Sequence, residues 1–237
     1  MNEDDLLDLL RRALSAPGVP PPVAPPADAR PAAVLVPVLL DDPARVVMHV
    51  RSRTMREHAG EVAFAGGRPD PGDADLRRTA EREAEEEMGL APSGLVHLGE
   101  LAPIPVITGR YLLHPFVAAV RGQTPRVASS ELERLVDVPL LPWLEGEREV
   151  RATLDEWRGL TFPTPIFYLD GGDVLYGASA AILYELLARL AAARGKPLPP
   201  LRMQEERPWG DRYARDRLRR ARARGSGVTG GRRRRTP

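Results

Sequence analysis

The sequence predicts an α/β or α+β chain. Three observations lead there. Two strand-like segments sit side by side at Ala33–Leu40 and Arg45–Arg51, and two long helical segments follow at Ala74–Met88 and Ser179–Ala193. Further strand-like segments fall between them, at Leu95–Leu101, Phe116–Val120, Thr161–Leu169 and Val174–Tyr176. With 237 residues and 43% hydrophobic content, the chain has material for one main core plus appendages. No internal repeat interrupts the interleaving.

Glu3 to Leu14 reads as a short amphipathic helix. Leu6, Leu7, Leu10 and Leu14 recur near helical spacing, and the leading acids suit the helix dipole. Pro17 to Pro31 is too rich in proline for a helix or sheet interior and reads as an extended linker. Residues 1–31 are thus expected to form an appendage, packed either on the body or on a partner.

The body spans 32–195. Its first strand carries Pro37, which suggests an edge position or a bulge. Asp41-Asp42-Pro43 is a turn, so the first two strands form a hairpin. A loop rich in Arg, His and Gly runs to Gly67, and Gly89 caps the helix that follows. Residues 196–237 are rich in proline and then arginine, and are expected to be largely disordered. From Asp211 to Pro237 there are eleven Arg and two Asp, a surplus of +9, which leaves about −8 on the first 210 residues.

Composition excludes several classes. The absence of cysteine removes disulfides, thiolate metal sites and cysteine nucleophiles, so any metal must take oxygen or imidazole ligands. No apolar run is long enough for a membrane span, and the acidic Met1–Asp5 start is unlike a secretory signal. A cytoplasmic location is expected.

The most informative stretch is Arg82-Glu83-Ala84-Glu85-Glu86-Glu87-Met88-Gly89-Leu90. With Leu76 at zero and ~100° per residue, Ala80 and Ala84 at ~40° and ~80° mark the apolar side. Glu81, Glu85, Arg78 and Arg82 fall between ~140° and ~240°, toward water. Glu83 and Glu87 fall near ~−20° and ~20°, beside the apolar side, and Glu86 near ~−80°, at its margin. Like charges three and four residues apart repel, the C-terminal turn disfavours anions, and partial burial adds to the cost. A divalent cation removes all three objections, and carboxylate ligands favour Mg²⁺ or Mn²⁺. The competing reading pairs these acids with Arg77, Arg78 or Arg82. Upstream, the paired glycines Gly66 and Gly67 permit close backbone approach or positive φ.

Together these elements resemble the Nudix hydrolase box. Gly67 stands at its leading glycine, and Arg82-Glu83-Ala84-x-Glu86-Glu87-x-Gly89-Leu90 matches its second half. Asp73 takes the place of the usual glutamate after the glycine, and the gap from Gly67 to Arg82 is one residue longer than ordinary. That spacing is a mark of the Nudix coenzyme A diphosphatases. Their upstream signature, R-S-x3-R-x3-G-x3-F-P-G-G, is met by Arg51, Ser52, Arg56, Gly60, Phe64, Gly66 and Gly67, with Ala65 where proline is usual. Ser130-Glu131-Leu132, Val138-Pro139-Leu140 and Tyr176-Gly177-Ala178-Ser179 are similar to later family segments, with Tyr and Ser replacing Trp and Thr in the last.

The resemblance covers roughly Ala32 to Ala193. It implies an α/β/α sandwich with a mixed β-sheet, and hydrolysis of coenzyme A to 4′-phosphopantetheine and 3′,5′-ADP. Mg²⁺ or Mn²⁺ would be held by Glu83, Glu86 and Glu87, with Glu83 or Glu87 taking the proton of the attacking water. Arg82 would orient Glu83 or pair with a neighbouring acid. Arg51 and Arg56, with Gly66 and Gly67, are the substrate-binding candidates, since arginine suits bidentate phosphate contacts. His58 reads as a loop histidine holding the turn in preference to a ligand or base, and Glu131 as a helix-start acid in preference to an extra site acid from a later loop. The partner expected is a small nucleotide of coenzyme A type, with a homodimer left open and neither membrane nor nucleic acid expected. Two other readings stay open: a Nudix diphosphatase for ADP-ribose or a dinucleotide, and a non-catalytic nucleotide-binding module.

Overall fold

The computed structural model describes residues 3–15, 24–55, 57–106, 110–157 and 159–210. Met1–Met203 forms one compact unit and Gln204–Pro237 a second. In the second, the Gln204 side-chain amide donates to the Glu206 carbonyl at 2.6 Å.

The first unit runs α1 (Glu3–Ser15), β1 (Arg30–Leu39), β2 (Arg45–Arg51), β3 (Val62–Ala63), β4 (Gly66–Gly67), α2 (Leu76–Met88), β5 (Leu95–Glu100), β6 (Ile104–Pro105) and β7 (Tyr111–Val120). It continues with β8 (Leu132–Pro139), α3 (Leu141–Leu144), β9 (Arg151–Trp157), β10 (Leu160–Tyr168), β11 (Val174–Leu175), α4 (Gly177–Ala193) and β12 (Arg202–Met203).

β1 is the central strand. On one side it runs parallel to β7 along its whole length; on the other it pairs antiparallel with β4 at Ala33–Val34 and with β2 at Val38–Leu39. β2 carries β3 and β8, and β7 carries β5 and β6, all antiparallel, so the sheet is mixed.

Alternate residues of β1 face opposite ways. Ala33, Leu35 and Leu39 pack with Ala80, Ala84 and Met88 of α2. Val34, Val36 and Val38 pack with Leu183, Leu186 and Leu190 of α4 and with Leu6, Leu10 and Leu14 of α1. Helices therefore cover both faces, which is the α/β/α sandwich. The choice the sequence left for α1 falls to the body: Leu10 is fully buried, and Glu3 is held by Arg121 at 3.1 Å.

Pro37 corrects the expectation of an edge position. The Leu35 N–H turns away from β7 and donates to the Ala65 carbonyl. Pro37, two residues on, turns the same way, between the end of the β4 pairing and the start of the β2 pairing. Its missing N–H falls where no ladder bond is required.

β8 and β9 were not legible as strands, and Glu131 leads into β8 rather than starting a helix. In β8 a register shift opposite Val50 and Arg51 breaks the alternation. In β9 the buried side chains include Thr153 and Asp155, so no apolar alternation marks it. β9 belongs to a second sheet, ordered β11-β10-β9-β12, which the sequence did not announce.

Candidate active site

α2 is capped at its start by Asp75, whose side chain accepts from the Arg78 N–H at 2.8 Å, and at its end by Gly89, with φ of 65°. Its sheet-facing residues Ala80 and Ala84 are small and fully buried, so the helix lies close to β1 and β4. That closeness turns Glu83 and Glu87 toward the sheet, as the helical phase predicts.

Gly66 and Gly67 serve this approach. Neither has positive φ, so of the two glycine roles expected, close approach is the one realised. A Cβ on Gly66 would meet the Ala33 carbonyl oxygen at 2.4 Å, and the Gly66 N–H donates to Glu87 Oε2 at 3.3 Å. Gly67 lies directly under the Glu83 carboxylate.

The three box glutamates differ in environment. Glu87 is buried at 6% exposure, Glu83 is part-buried, and the Glu86 side chain is 58% exposed. Burial, reinforced by the charge of Glu83, raises the Glu87 pKa to about 7. Glu83 is also raised, chiefly by burial, with Arg82 opposing.

Arg82 ties the helix to the box loop. Its guanidinium bonds Asp73 at 3.2 Å, Glu83 at 3.1 Å, Glu86 at 3.1 Å and the Arg68 carbonyl at 3.2 Å. Asp73 also accepts from the Thr79 hydroxyl, and the Arg82 hydrogen bond leads the causes that hold its pKa down at about 2. The pairing alternative thus holds for Glu86 and partly for Glu83, and leaves Glu87 without an arginine hydrogen bond among the described residues.

Arg51 ends β2 with its Nη2 4.0 Å from Glu131 Oε2, and its charge bears on Glu87. The main chain brings Glu131 there: its carbonyl accepts from the Ser52 N–H at 2.7 Å. The sequence had set Glu131 aside, although its match to a family segment was a signal. His58 bonds Glu61 at 2.8 Å in the turn after Arg51, which is the turn-holding role expected. Arg56 lies outside the described residues.

The donor set suits a hard divalent cation. Glu83 and Glu87 are a part-buried pair of like charges whose proton affinities are raised, and a cation would relieve the repulsion that the proton relieves now. Glu86 would join them by turning away from Arg82. Among the described residues, no three acidic or histidine side chains already converge as a metal-binding group.

A glutamate helix seated on a glycine-bearing strand, inside a two-sided α/β sandwich, makes a candidate site for a divalent cation and a charged ligand. The NUDIX domain family matches residues 29–157, and the chain belongs to that family. A protein called Nudix hydrolase NudL from Photorhabdus laumondii is 34% identical over 168 residues, 70% of this chain and 88% of the relative. A NudL from Yersinia pestis is 41% identical over 113 residues, 47% of this chain and 56% of the relative, so the match spans little more than half of that protein. A solved MutT/nudix family protein from Enterococcus faecalis shares 11% identity at a TM-score of 0.44, over 82% of this chain and 80% of its own. The chain is accordingly a Nudix hydrolase, acting on nucleoside diphosphate derivatives. Nudix hydrolases generally require divalent metal ions. No helix among the described residues is long and apolar enough to cross a membrane.

Proposed function

We propose that the chain is a Mg²⁺- or Mn²⁺-dependent diphosphatase of coenzyme A and its acyl derivatives, working in the cytoplasm. The observation that supports this reading is the position of Arg51. It is the first arginine of the upstream signature, and it stands against Glu131 with its charge acting on Glu87 of the box helix. Coenzyme A carries a 3′-phosphate besides its diphosphate, so a substrate cation beyond the metal site has a purpose.

In this reading Glu83, Glu86 and Glu87 hold the metal. When bound, it supplies charge neutralisation and a water of lowered pKa. Glu83 or Glu87 takes the proton as the water oxygen bonds to phosphorus and the anhydride P–O bond breaks. Arg82, fixed by Asp73, orients Glu83. Arg51 and Arg56 bind phosphate, with Gly66 and Gly67 shaping the floor beneath the carboxylates. Residues 32–195 carry the chemistry.

The test is hydrolysis of coenzyme A, dephospho-coenzyme A, ADP-ribose and NADH by wild type and Glu83→Gln, with each metal. Coenzyme A should be the preferred substrate, and Glu83→Gln should be slower by at least about a hundredfold. Intact coenzyme A and acyl esters, with ADP-ribose or NADH cleaved, would give the substrate to the alternative class.

A further inference from the structure

His49 sits on β2 opposite Ala63 of β3 and Leu135 of β8. It is fully buried, and among the described residues neither ring nitrogen has a hydrogen-bond partner. Two residues on, and so on the same face of the strand, the buried Nε of Arg51 is unpartnered as well. The face is the one that packs toward α2, since Val47 lies on it too. Buried polar groups without partners are costly and rare in native proteins, and an apolar side chain would fill this position without the cost. Burial and the nearby Arg51 charge lower the His49 pKa to about 4. The ring is therefore neutral at pH 7, with one donor and one acceptor nitrogen.

We propose that His49 is a positioning residue for Arg51: the imidazole and the buried Nε–H share an internal water that fixes the guanidinium plane. A water needs two or more polar partners in a buried site, and these two supply them. With Nε held from below, the outer N–H edge of the guanidinium is left toward Glu131 and the carboxylates, where a substrate phosphate arrives. The proposal rests on the reading of Arg51 as a phosphate ligand. It adds the reason a histidine is buried beneath it.

The test uses the ¹⁵N-labelled full chain, first without substrate. The Arg51 Nε–H should exchange slowly with solvent, and His49 should remain a neutral single tautomer at pH 6. His49→Leu should speed that exchange by at least about tenfold, and His49→Gln, which keeps a donor and an acceptor, should restore most of the protection. In hydrolysis of coenzyme A, His49→Leu should raise KM about tenfold with kcat nearly unchanged. Unchanged Arg51 exchange in His49→Leu overturns the proposal, as does an unchanged KM. Should His49→Leu fail to fold, a wild-type Arg51 Nε–H that exchanges like an exposed arginine overturns it. If wild type leaves coenzyme A intact, the substrate reading fails, while the exchange measurements still decide the role of His49.

Discussion

A Cβ placed on Gly67 would stand 2.1 Å from Oε1 of Glu83. The backbone of β4 and the carboxylate of α2 therefore occupy space that any side chain at position 67 would take. Gly67→Ala should push the Glu83 carboxylate aside and lower kcat/KM by at least about a hundredfold, the scale of an ångström misplacement in an active site. Steady-state hydrolysis measures the loss. A thermal midpoint close to that of wild type would locate the effect in the site and not in the fold.

Glu87 makes a prediction about pH. Its pKa is raised from 4.5 to about 7 in the folded chain, by burial first and by Glu83 second. The folded state then holds a proton that the unfolded state has lost, so metal-free stability falls as pH rises from about 4.5 to about 7. The raised pKa implies an effect on the order of 3 kcal/mol. Urea midpoints in chelator should show the fall in wild type and a smaller one in Glu87→Gln, where only groups such as Glu83 still contribute. Divalent metal should reverse the trend, since its affinity grows as Glu87 loses its proton.

Asp73 predicts the opposite direction. Its pKa is depressed from 3.8 to about 2, led by the Arg82 hydrogen bond. The stability it contributes is complete above pH 4 and lost as pH falls toward 2. Asp73→Asn should therefore be less stable than wild type at neutral pH and converge with it in acid, read by denaturation across that range. Because Arg82 also holds Glu83, the same variant should lose activity by about tenfold or more.

How much of this was legible in the sequence depended on periodicity. The phase of Glu83 and Glu87 along α2 was readable because Ala80 and Ala84 fix the apolar side, and both acids do turn toward the sheet. Glu86 lay at the margin of that side, where phase alone cannot choose between a metal and Arg82. Pro37 misled because an interior strand can change partners along one edge, a fact of topology with no local signal. β9 was hidden because its inward residues Thr153 and Asp155 are polar, and the role of Glu131 because a register shift blurred the strand after it.

The N-terminal helix supplies the last prediction. Leu10 is fully buried in the cluster that joins α1 to α4 and the back of the sheet. Leu10→Ala should cost about 2–5 kcal/mol of stability, as deletions in a packed core do. An exposed appendage would lose almost nothing, so chemical denaturation separates the two cases.

The parallel ladder between β1 and β7 joins residues 81 positions apart, from Arg30 with Tyr111 to Leu39 with Val120. A nascent chain must therefore carry the β7-facing edge of β1 unmatched until residues 111–120 have been made. Such distant pairing slows folding and lengthens the interval in which the exposed segment can stick to other chains.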